Sequence, residues 1–133
     1  MTSSLNTLYE VLYVSVLAPG APVSAVAEIA GHARAANAQR GITGLLVFDG
    51  NGFCQQLEGT QKNVLSAMER ISQDARHVQI SVVHHGPLTA RRFSDFSLAF
   101  SPAEDADTLA ALALLDGEAA LQAFHALRAS VLL

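Results

Sequence analysis

The chain is poor in cysteine, tryptophan and charge, and each shortage argues against a class of function. Its one cysteine, Cys54, excludes an internal disulfide framework and a metal site built from several cysteines. Only 15% of the 133 residues are charged, and the net charge is -4 with a pI near 5.6. The sequence has no cluster of lysine and arginine that would bind nucleic acid or an anionic membrane. We therefore expect no nucleic acid, no membrane and no metal as partners.

Long apolar runs are also missing, although half of the residues are apolar. Proline, glycine or a charged residue interrupts every apolar segment before it reaches the length of a membrane span. Residues 1–5 lack the basic start and the apolar core of a signal peptide. The length and the apolar fraction suit one compact domain. These features predict a globular cytoplasmic protein.

Turn and cap residues divide the chain into short strands and helices. Residues 18–22 have the sequence Ala-Pro-Gly-Ala-Pro and end the first strand, and Gly41 ends the helix that follows. Residues 49–52, Asp-Gly-Asn-Gly, are typical of a hairpin turn, and Thr60 is suited to cap a second helix. The predicted elements are strand 8–17, helix 23–37, strand 42–48, strand 53–57, helix 60–73, strand 78–84 and strand 95–100.

This element order, β-α-β-β-α-β-β, predicts an α+β fold of the ferredoxin-like, split βαβ type, with two helices on one face of a mixed sheet. Residues 101–104, Ser-Pro-Ala-Glu, combine a capping box with proline at the first helical position. The Ala/Leu-rich segment that follows breaks at Asp116-Gly117, so we expect a C-terminal helical hairpin. Residues 1–101 would form the main domain, and residues 102–133 a helical extension packed on it.

A glutamine, Gln55, lies in the middle of a strand that is otherwise rich in residues suited to burial. Its amide has one acceptor oxygen and two donor hydrogens, so it needs a partner and can bond in two opposite senses. Tyr13 on the first strand and Asn37 on the first helix are its candidate companions. Ile29, Ala33 and Asn37 are spaced four apart and share one face of that helix. This group is a candidate hydrogen-bonded switch.

Five segments carry a resemblance to a known family. They are Leu12-Tyr13-Val14-Ser15, Asn37 with Gly41-Ile42-Thr43-Gly44-Leu45-Leu46, Gly52-Phe53-Cys54-Gln55-Gln56-Leu57-Glu58-Gly59, Arg70-Ile71-Ser72-Gln73-Asp74-Ala75-Arg76-His77 and Arg91-Arg92-Phe93-Ser94-Asp95-Phe96-Ser97. In this order and spacing, over roughly residues 8 to 101, they resemble the BLUF family of sensors of blue light using FAD. The tail also resembles the helical extension of short, single-domain members.

The resemblance implies that FAD binds between the two helices that pack on the sheet. Tyr13 would give an electron and a proton to the excited flavin, and Gln55 would bridge the tyrosine to the ring. Asn37 would hold the pyrimidine edge of the flavin, and Ile29 would pack on the ring. The cofactor would perform the photochemistry while the protein positions and reads it.

The resemblance also assigns residues outside this centre. Arg70, Asp74 and His77 match positions near the flavin, on and just after the second helix. Phe96 and Leu98 match positions on the last strand that couple the flavin to the signal. The implied protein is a photoreceptor and not an enzyme, acting on a downstream signalling protein or through its own homo-oligomer, a dimer or larger.

Four residues depart from the family pattern. Ala33 stands where a serine hydroxyl is frequent, and Ala36 where a polar contact to the ring edge is common. Phe96 replaces a familiar tryptophan, and Leu98 replaces a methionine. Because Tyr13 and Gln55 are present, we expect photoactivity, and the four departures predict an altered recovery rate and altered signal coupling.

Other interpretations of the same residues stay open at this point. Arg70 and Asp74 could form a solvated ion pair along one helix, and His84-His85 and Arg91-Arg92 could be surface residues. Cys54 is expected to be an inert buried thiol. A second function is a light-insensitive interaction module with weak or lost flavin binding. A third, an acylphosphatase-like hydrolase, lacks a glycine-rich phosphate loop. The residues alone do not separate FAD from FMN.

Overall fold

The computed structural model of the protein describes residues 7–22, 24–93, 96–100 and 111–131, with side-chain surroundings given within 7–93 and 111–126. The helices and strands are β1 (Leu8–Leu17), α1 (Ser24–Gln39), β2 (Thr43–Phe48), β3 (Gly52–Thr60), α2 (Gln61–Ser72), β4 (His77–Pro87), β5 (Phe96–Phe100) and α3 (Gly117–Val131).

The five described strands form one mixed sheet in the order β4-β1-β3-β2-β5. β1 pairs antiparallel with both β4 and β3, and β2 pairs antiparallel with β3. Only the pairing of β2 with β5 is parallel within this sheet. The two helices α1 and α2 pack on one face. The predicted α+β fold of the split βαβ type is confirmed.

Strand β3 is longer than the predicted 53–57 because tertiary pairing extends it. Glutamate has a low strand propensity, yet Glu58 pairs with Glu10 of β1 on one side and with Thr43 of β2 on the other. β4 is likewise longer at both ends than predicted, since it pairs with almost the whole of β1. Strand propensity depends on such neighbours more than on the local sequence.

Helix α1 ends at Gln39, two residues later than predicted. Gly41 closes the helix in the left-handed region, with φ of 64°, which glycine adopts without steric cost. The N–H groups of Arg40 and Ile42 both donate to the carbonyl of Asn37, at 3.1 and 2.9 Å. The helix end therefore fixes the backbone position of Asn37.

Helix α2 begins and ends where the sequence predicts. The hydroxyl of Thr60 accepts the N–H of Asn63 at 3.2 Å and caps the first turn, and Gln73 is the C-cap. The predicted helix 60–73 is confirmed.

The sheet has two buried faces because successive side chains of a strand point in opposite directions. The apolar cluster facing α1 and α2 includes Val11, Val26, Ala30, Leu46, Phe53, Leu57, Val64 and Ala67. The cluster on the other face, which α3 covers, includes Leu12, Val14, Leu45, Cys54, Val83, Leu112, Leu121 and Phe124. Neighbouring residues of β3 thus contact different helices.

The C-terminal segment is described only in part. α3 packs on the sheet through Leu121 and Phe124, and Gly117 stands at its start, at the break that the sequence predicts. The capping box at 101–104 and most of the first helix of the predicted hairpin lie outside the described residues, and residues 111–112 at the end of that helix are helical. Within the described part of the chain, no helix is long and apolar enough to cross a membrane.

Candidate functional site: a cavity between two helices and the sheet

A cavity of about 250 Å³ lies between α1, α2 and the sheet. Its lining combines apolar side chains with a few polar ones, as is usual for small-molecule sites. The lining residues are Tyr13, Ile29, His32, Ala33, Ala36, Asn37, Leu46, Gln55, Ala67, Arg70, Ile71, Asp74, Arg76 and His77. Six of the candidate residues named from the sequence near the flavin, together with Tyr13, are therefore brought together around one cavity.

The centre of the cavity wall is a hydrogen bond between Tyr13 and Gln55. The two residues lie directly opposite each other in the β1–β3 pairing, and both are buried. The hydroxyl of Tyr13 donates to Oε1 of Gln55. Burial, reinforced by the charges of Cys54 and Asp74, raises the pKa of the Tyr13 phenol far above its usual value. Tyr13 is therefore a protonated donor at every physiological pH.

The amide nitrogen of Gln55 makes no hydrogen bond within the described residues. Because Oε1 accepts from a phenol that must donate, Nε2 is the end of the amide left for another acceptor. A buried donor without a partner costs roughly 1–3 kcal/mol. This orphan donor, in a residue that is only 2% exposed, indicates that a ligand atom completes the site.

Asn37 supplies a second buried amide. Its residue is 4% exposed, and its side chain makes no hydrogen bond within the described residues. The carbonyl of the same residue accepts the two N–H groups that close α1, so its position is fixed by the backbone. Ile29 and Ala33 lie along the same helix face and also line the cavity. The lining thus has unsatisfied amides at two points and apolar surface between them.

Asp74 pairs with Arg76 and not with Arg70. The guanidinium of Arg76 donates to both carboxylate oxygens, with its Nη2 at 2.7 Å from Oδ2. The side-chain hydrogen bond from Arg76 lowers the pKa of Asp74 to about 2. The alternative of an Arg70–Asp74 ion pair is wrong, because Asp74 turns toward the residue two positions later. Arg76 was missed by the sequence argument, although it lies within the matched segment 70–77.

Arg70 lies exposed at the cavity, with a like charge near it. Partial burial, and then the positive charge of Arg40, lowers the pKa of the Arg70 guanidinium. Arg70 makes no ion pair or side-chain hydrogen bond within the described part of the chain. A cation near another cation at a cavity is suited to an anionic group, such as a phosphate.

His77 closes the cavity on the side of β4. Its Nδ1 lies 3.0 Å from the hydroxyl of Ser15, and its ring meets Phe53 edge to face at 5.9 Å between centroids. The ring of Tyr13 is 6.4 Å away. Burial lowers the pKa of His77, so the imidazole is neutral beside the tyrosine.

Phe96 and Leu98 lie on β5, whose backbone is described but whose side chains lie outside the described part. Leu98 pairs with Leu46, and Leu46 pairs in turn with Gln55. Phe96 pairs with Gly44, at the start of the same strand. The positions assigned to signal coupling are therefore two strands from Gln55, with Leu98 at the level of Gln55 and Phe96 two residues further along.

A flat ring with a polar edge fits this lining. Gln55 presents a free amide nitrogen, which can bond a carbonyl of such an edge, and the side-chain amide of Asn37 can bond a carbonyl or an N–H group. Ile29, Leu46 and Ile71 give apolar faces. The volume lies just below the roughly 300–1,000 Å³ of typical ligand sites, which suits the ring system of a cofactor more than the whole of FAD. The side chains present thus match a flavin.

These features define a class of protein, a small α+β domain suited to hold a ring-shaped ligand between two helices and a tyrosine–glutamine pair of the sheet. The chain belongs to the BLUF family, described as sensors of blue light using FAD, whose family model matches residues 8–99. It is therefore a flavin-based sensor of blue light, and its cofactor is FAD.

Solved and curated relatives agree with this assignment. The dark-state structure of the BLUF protein BlrB matches 95% of this chain and 98% of its own, with a TM-score of 0.76 and 31% identity. The blue light- and temperature-regulated antirepressor BluF of Escherichia coli K12 is 35% identical over 86 residues, 65% of this chain. The beta subunit of the photoactivated adenylate cyclase of Euglena gracilis is 44% identical over 55 residues, 41% of this chain.

The chain spans about a fifth of the length of the antirepressor and 6% of that of the cyclase subunit. The similarity to these two proteins therefore concerns a sensor domain and not their remaining parts.

Proposed function

We propose that the cavity beneath α1 and α2 binds the isoalloxazine ring of FAD, and that Tyr13 and Gln55 convert its excitation into a signal delivered to a separate protein or to a second copy of this chain. The buried Tyr13–Gln55 hydrogen bond, with the amide nitrogen of Gln55 left over, carries the proposal. Bound flavin supplies absorption of blue light and, once excited, an electron acceptor.

The amides would hold the polar edge of the ring, Nε2 of Gln55 on one side and the side chain of Asn37 on the other. Ile29 would cover one face of the ring. Arg70 would bind a phosphate of the cofactor, because it is an exposed cation without an ion pair in the described part. Asp74 and His77 would shape the wall, the carboxylate held by Arg76 and the imidazole by Ser15.

The roles of the two photoactive residues follow from their chemistry. Tyr13 is protonated and hydrogen-bonded, so it can lose an electron and move its proton along the bond to Gln55. Gln55 would then rotate or tautomerise, which exchanges the donor and acceptor that it shows to the cavity. One hydrogen bond gained or lost contributes roughly 0.5–1.5 kcal/mol, enough to shift two nearly balanced conformations. β5 and the C-terminal extension, residues 102–133, would transmit that shift.

A light-minus-dark absorption spectrum of the purified protein tests this function. We expect a yellow protein whose flavin band moves reversibly to longer wavelength under blue light. A protein that neither carries a flavin nor takes up FAD on reconstitution would contradict the proposal. Release of the cofactor and its identification by mass would separate FAD from FMN, the flavin named in one solved relative.

A light-insensitive interaction module is the second candidate, and two residues of the lining favour it. Ala33 and Ala36 both line the cavity and offer no hydroxyl or amide to the ligand. A bound flavin whose spectrum does not respond to light would establish this alternative.

We further propose that the chain catalyses no reaction of its own and acts in the cytoplasm on a downstream signalling protein or as a homo-oligomer. Support comes from the sensor family to which it belongs, and from the buried free thiol of Cys54, which suits a reducing compartment. Chromatography with light scattering, in darkness and in blue light, tests the oligomer. Measurable hydrolysis of an acyl phosphate would contradict the absence of catalysis.

A further inference from the structure

A second set of buried polar side chains lies on the α3 face of the sheet, away from the cavity. Glu10, Gln56 and Glu58 are each between 0 and 3% exposed. Charged and polar groups are buried so fully only where hydrogen bonds compensate them. Three further side chains bond to Glu10 or Gln56, and they are those of His84, Arg92 and His125. We call the six residues the α3-face cluster.

Gln56 is at the centre of this cluster, with both ends of its amide bonded. Its Nε2 donates to Oε1 of Glu10 at 2.6 Å, and its Oε1 lies 3.1 Å from Nε2 of His125 on α3. The carboxylate of Glu10 accepts only, which fixes the direction of the amide. Because Oε1 of Gln56 must also accept, Nε2 of His125 carries the hydrogen and donates.

The carboxylate of Glu10 makes hydrogen-bond contacts with side chains from three other parts of the fold. Besides Gln56 of β3, it accepts from Nη1 of Arg92, which precedes β5, and lies 3.2 Å from Nε2 of His84 on β4. Its side chain is 4% exposed, so the carboxylate itself is shielded from water, whereas its contacts to Arg92 and His84 are partly buried. One carboxylate therefore joins β4 and the segment before β5 to the same glutamine that α3 contacts.

Glu58 holds the backbone of that segment. Its Oε1 accepts the N–H groups of Arg92 and Phe93, both at 3.0 Å. The guanidinium of Arg91 donates to the carbonyl of Glu58, also at 3.0 Å. The chain that leads into β5 is therefore positioned by two carboxylates, one from β1 and one from β3.

From this arrangement we infer that Gln56 is the positioning residue through which a rearrangement of Gln55 reaches α3 and the segment before β5. The inference rests on the proposed function and gives it a route. Gln55 and Gln56 share a peptide bond and point to opposite faces, so a movement of β3 at one is a movement at the other. The Gln56–His125 contact is 3.1 Å long, so a displacement of β3 by roughly 0.5 Å would carry it beyond hydrogen-bonding distance.

Hydrogen exchange of the α3 amides in darkness tests the contact itself. We compare wild type with Gln56→Leu and His125→Phe, and take Gln122→Leu as the matched control, since Gln122 is exposed on the same helix. Both cluster variants should exchange roughly fivefold faster over 117–126, the factor for one lost hydrogen bond. His125→Gln restores a donor and should return the rate toward wild type.

The same peptides followed in blue light test the route. Wild-type protein should show a light-minus-dark difference in α3, and Gln56→Leu and His125→Phe should lose most of it while keeping the flavin red shift. Gln122→Leu should keep both. If Gln56→Leu does not fold, His125→Phe leaves the bond from Gln56 to Glu10 intact and gives the answer alone.

The outcomes separate this inference from the proposed function. A normal red shift with a full α3 response in both cluster variants would overturn the route. A wild-type red shift without any α3 response would overturn it as well. A wild type that binds flavin but shows no red shift contradicts the proposed function instead, and the dark comparison then still decides whether the cluster anchors α3.

Discussion

The two faces of the sheet treat the same kind of residue in opposite ways. On the cavity face, Gln55 has one bonded end and one free end, and Asn37 has a free side chain within the described residues. On the α3 face, Gln56 has both ends bonded, to Glu10 and to His125. One strand, β3, thus carries an amide ready for a ligand next to an amide that already has its partners.

The difference shows that buried polar groups have different roles depending on whether their hydrogen bonds are complete. Free buried polar groups cost stability, so they persist where a ligand or a changing partner uses them. Fully bonded ones give fixed geometry, so they suit the transfer of a small displacement. Each face carries an apolar cluster, and the polar contacts distinguish the two roles.

The largest expected effect is the loss of the light response when the hydrogen bond on the cavity face is removed. Tyr13→Phe removes the hydroxyl that donates to Gln55 and should abolish the light-induced red shift, while flavin stays bound. Tyr9→Phe is the control, because Tyr9 lies on the same strand and its hydroxyl bonds His85 away from the cavity. An undiminished shift in Tyr13→Phe, measured by difference spectroscopy, would remove Tyr13 from the mechanism.

The next effect breaks the α3 face. Glu58→Ala leaves the buried N–H groups of Arg92 and Phe93 without an acceptor and should lower the free energy of unfolding by about 2–4 kcal/mol. Urea denaturation measures it. Glu69→Ala, on the exposed surface of α2, should change stability by less than about 0.5 kcal/mol. Equal stabilities of the two variants would mean that the contacts of Glu58 contribute nothing.

A smaller effect is expected on the affinity for the flavin. Asn37→Ala removes a free buried amide and should weaken flavin binding roughly tenfold, as for one or two hydrogen bonds. Titration of the apoprotein followed by flavin fluorescence measures the dissociation constant. Gln39→Ala, exposed at the end of the same helix, should bind like wild type. Unchanged affinity in Asn37→Ala would place the polar edge of the ring elsewhere.

The smallest effect concerns Asp74 and acid. Its pKa in the folded protein is about 2, below the roughly 3.9 of an unfolded aspartate, so the native state prefers the ionised form. The stabilisation is complete above pH 4 and is lost as the pH falls toward 2. Because the pair with Arg76 is partly exposed, it contributes less than about 1 kcal/mol.

Stability measured from pH 5 to pH 2 checks this prediction. Asp74→Asn and Arg76→Gln should each flatten the same part of the curve, since each removes one member of the pair. A curve in Asp74→Asn that follows wild type throughout would assign the acid sensitivity to other carboxylates.

Sequence reasoning located the cavity face well and the α3 face poorly. Tyr13, Asn37 and Gln55 each lie in a segment that resembles the BLUF family, and that resemblance predicted their meeting. Cys54 is buried, as predicted, and burial raises the pKa of its thiol, which disfavours the reactive thiolate. The α3-face cluster depends instead on long-range register, which the sequence does not display. Glu10 and Gln56, for example, are 46 residues apart.

Two surface interpretations were incomplete for the same reason. Arg92 is exposed in the loop before β5, as expected, and His84 is half-buried near the end of β4, yet each contacts the buried carboxylate of Glu10. A charged side chain near a turn carries no local sign that an acidic partner is buried across the sheet. A glutamate inside or directly after a predicted strand, such as Glu10 or Glu58, is a sequence feature that indicates a charged partner on a neighbouring segment.

The adjacency of Gln55 and Gln56 has a consequence for strand register. A slip of β3 by one residue would exchange the two faces, and it would still place a glutamine at one of the two glutamine positions, with Cys54 or Leu57 at the other. The two amides alone therefore do not define the pairing. Their neighbours define it. Phe53 and Leu57 belong to the apolar cluster under α1 and α2, and a slip would also move Glu58 away from the backbone N–H of Phe93 that it accepts. Correct alignment of the photoactive residue is thus encoded two and three residues away from it.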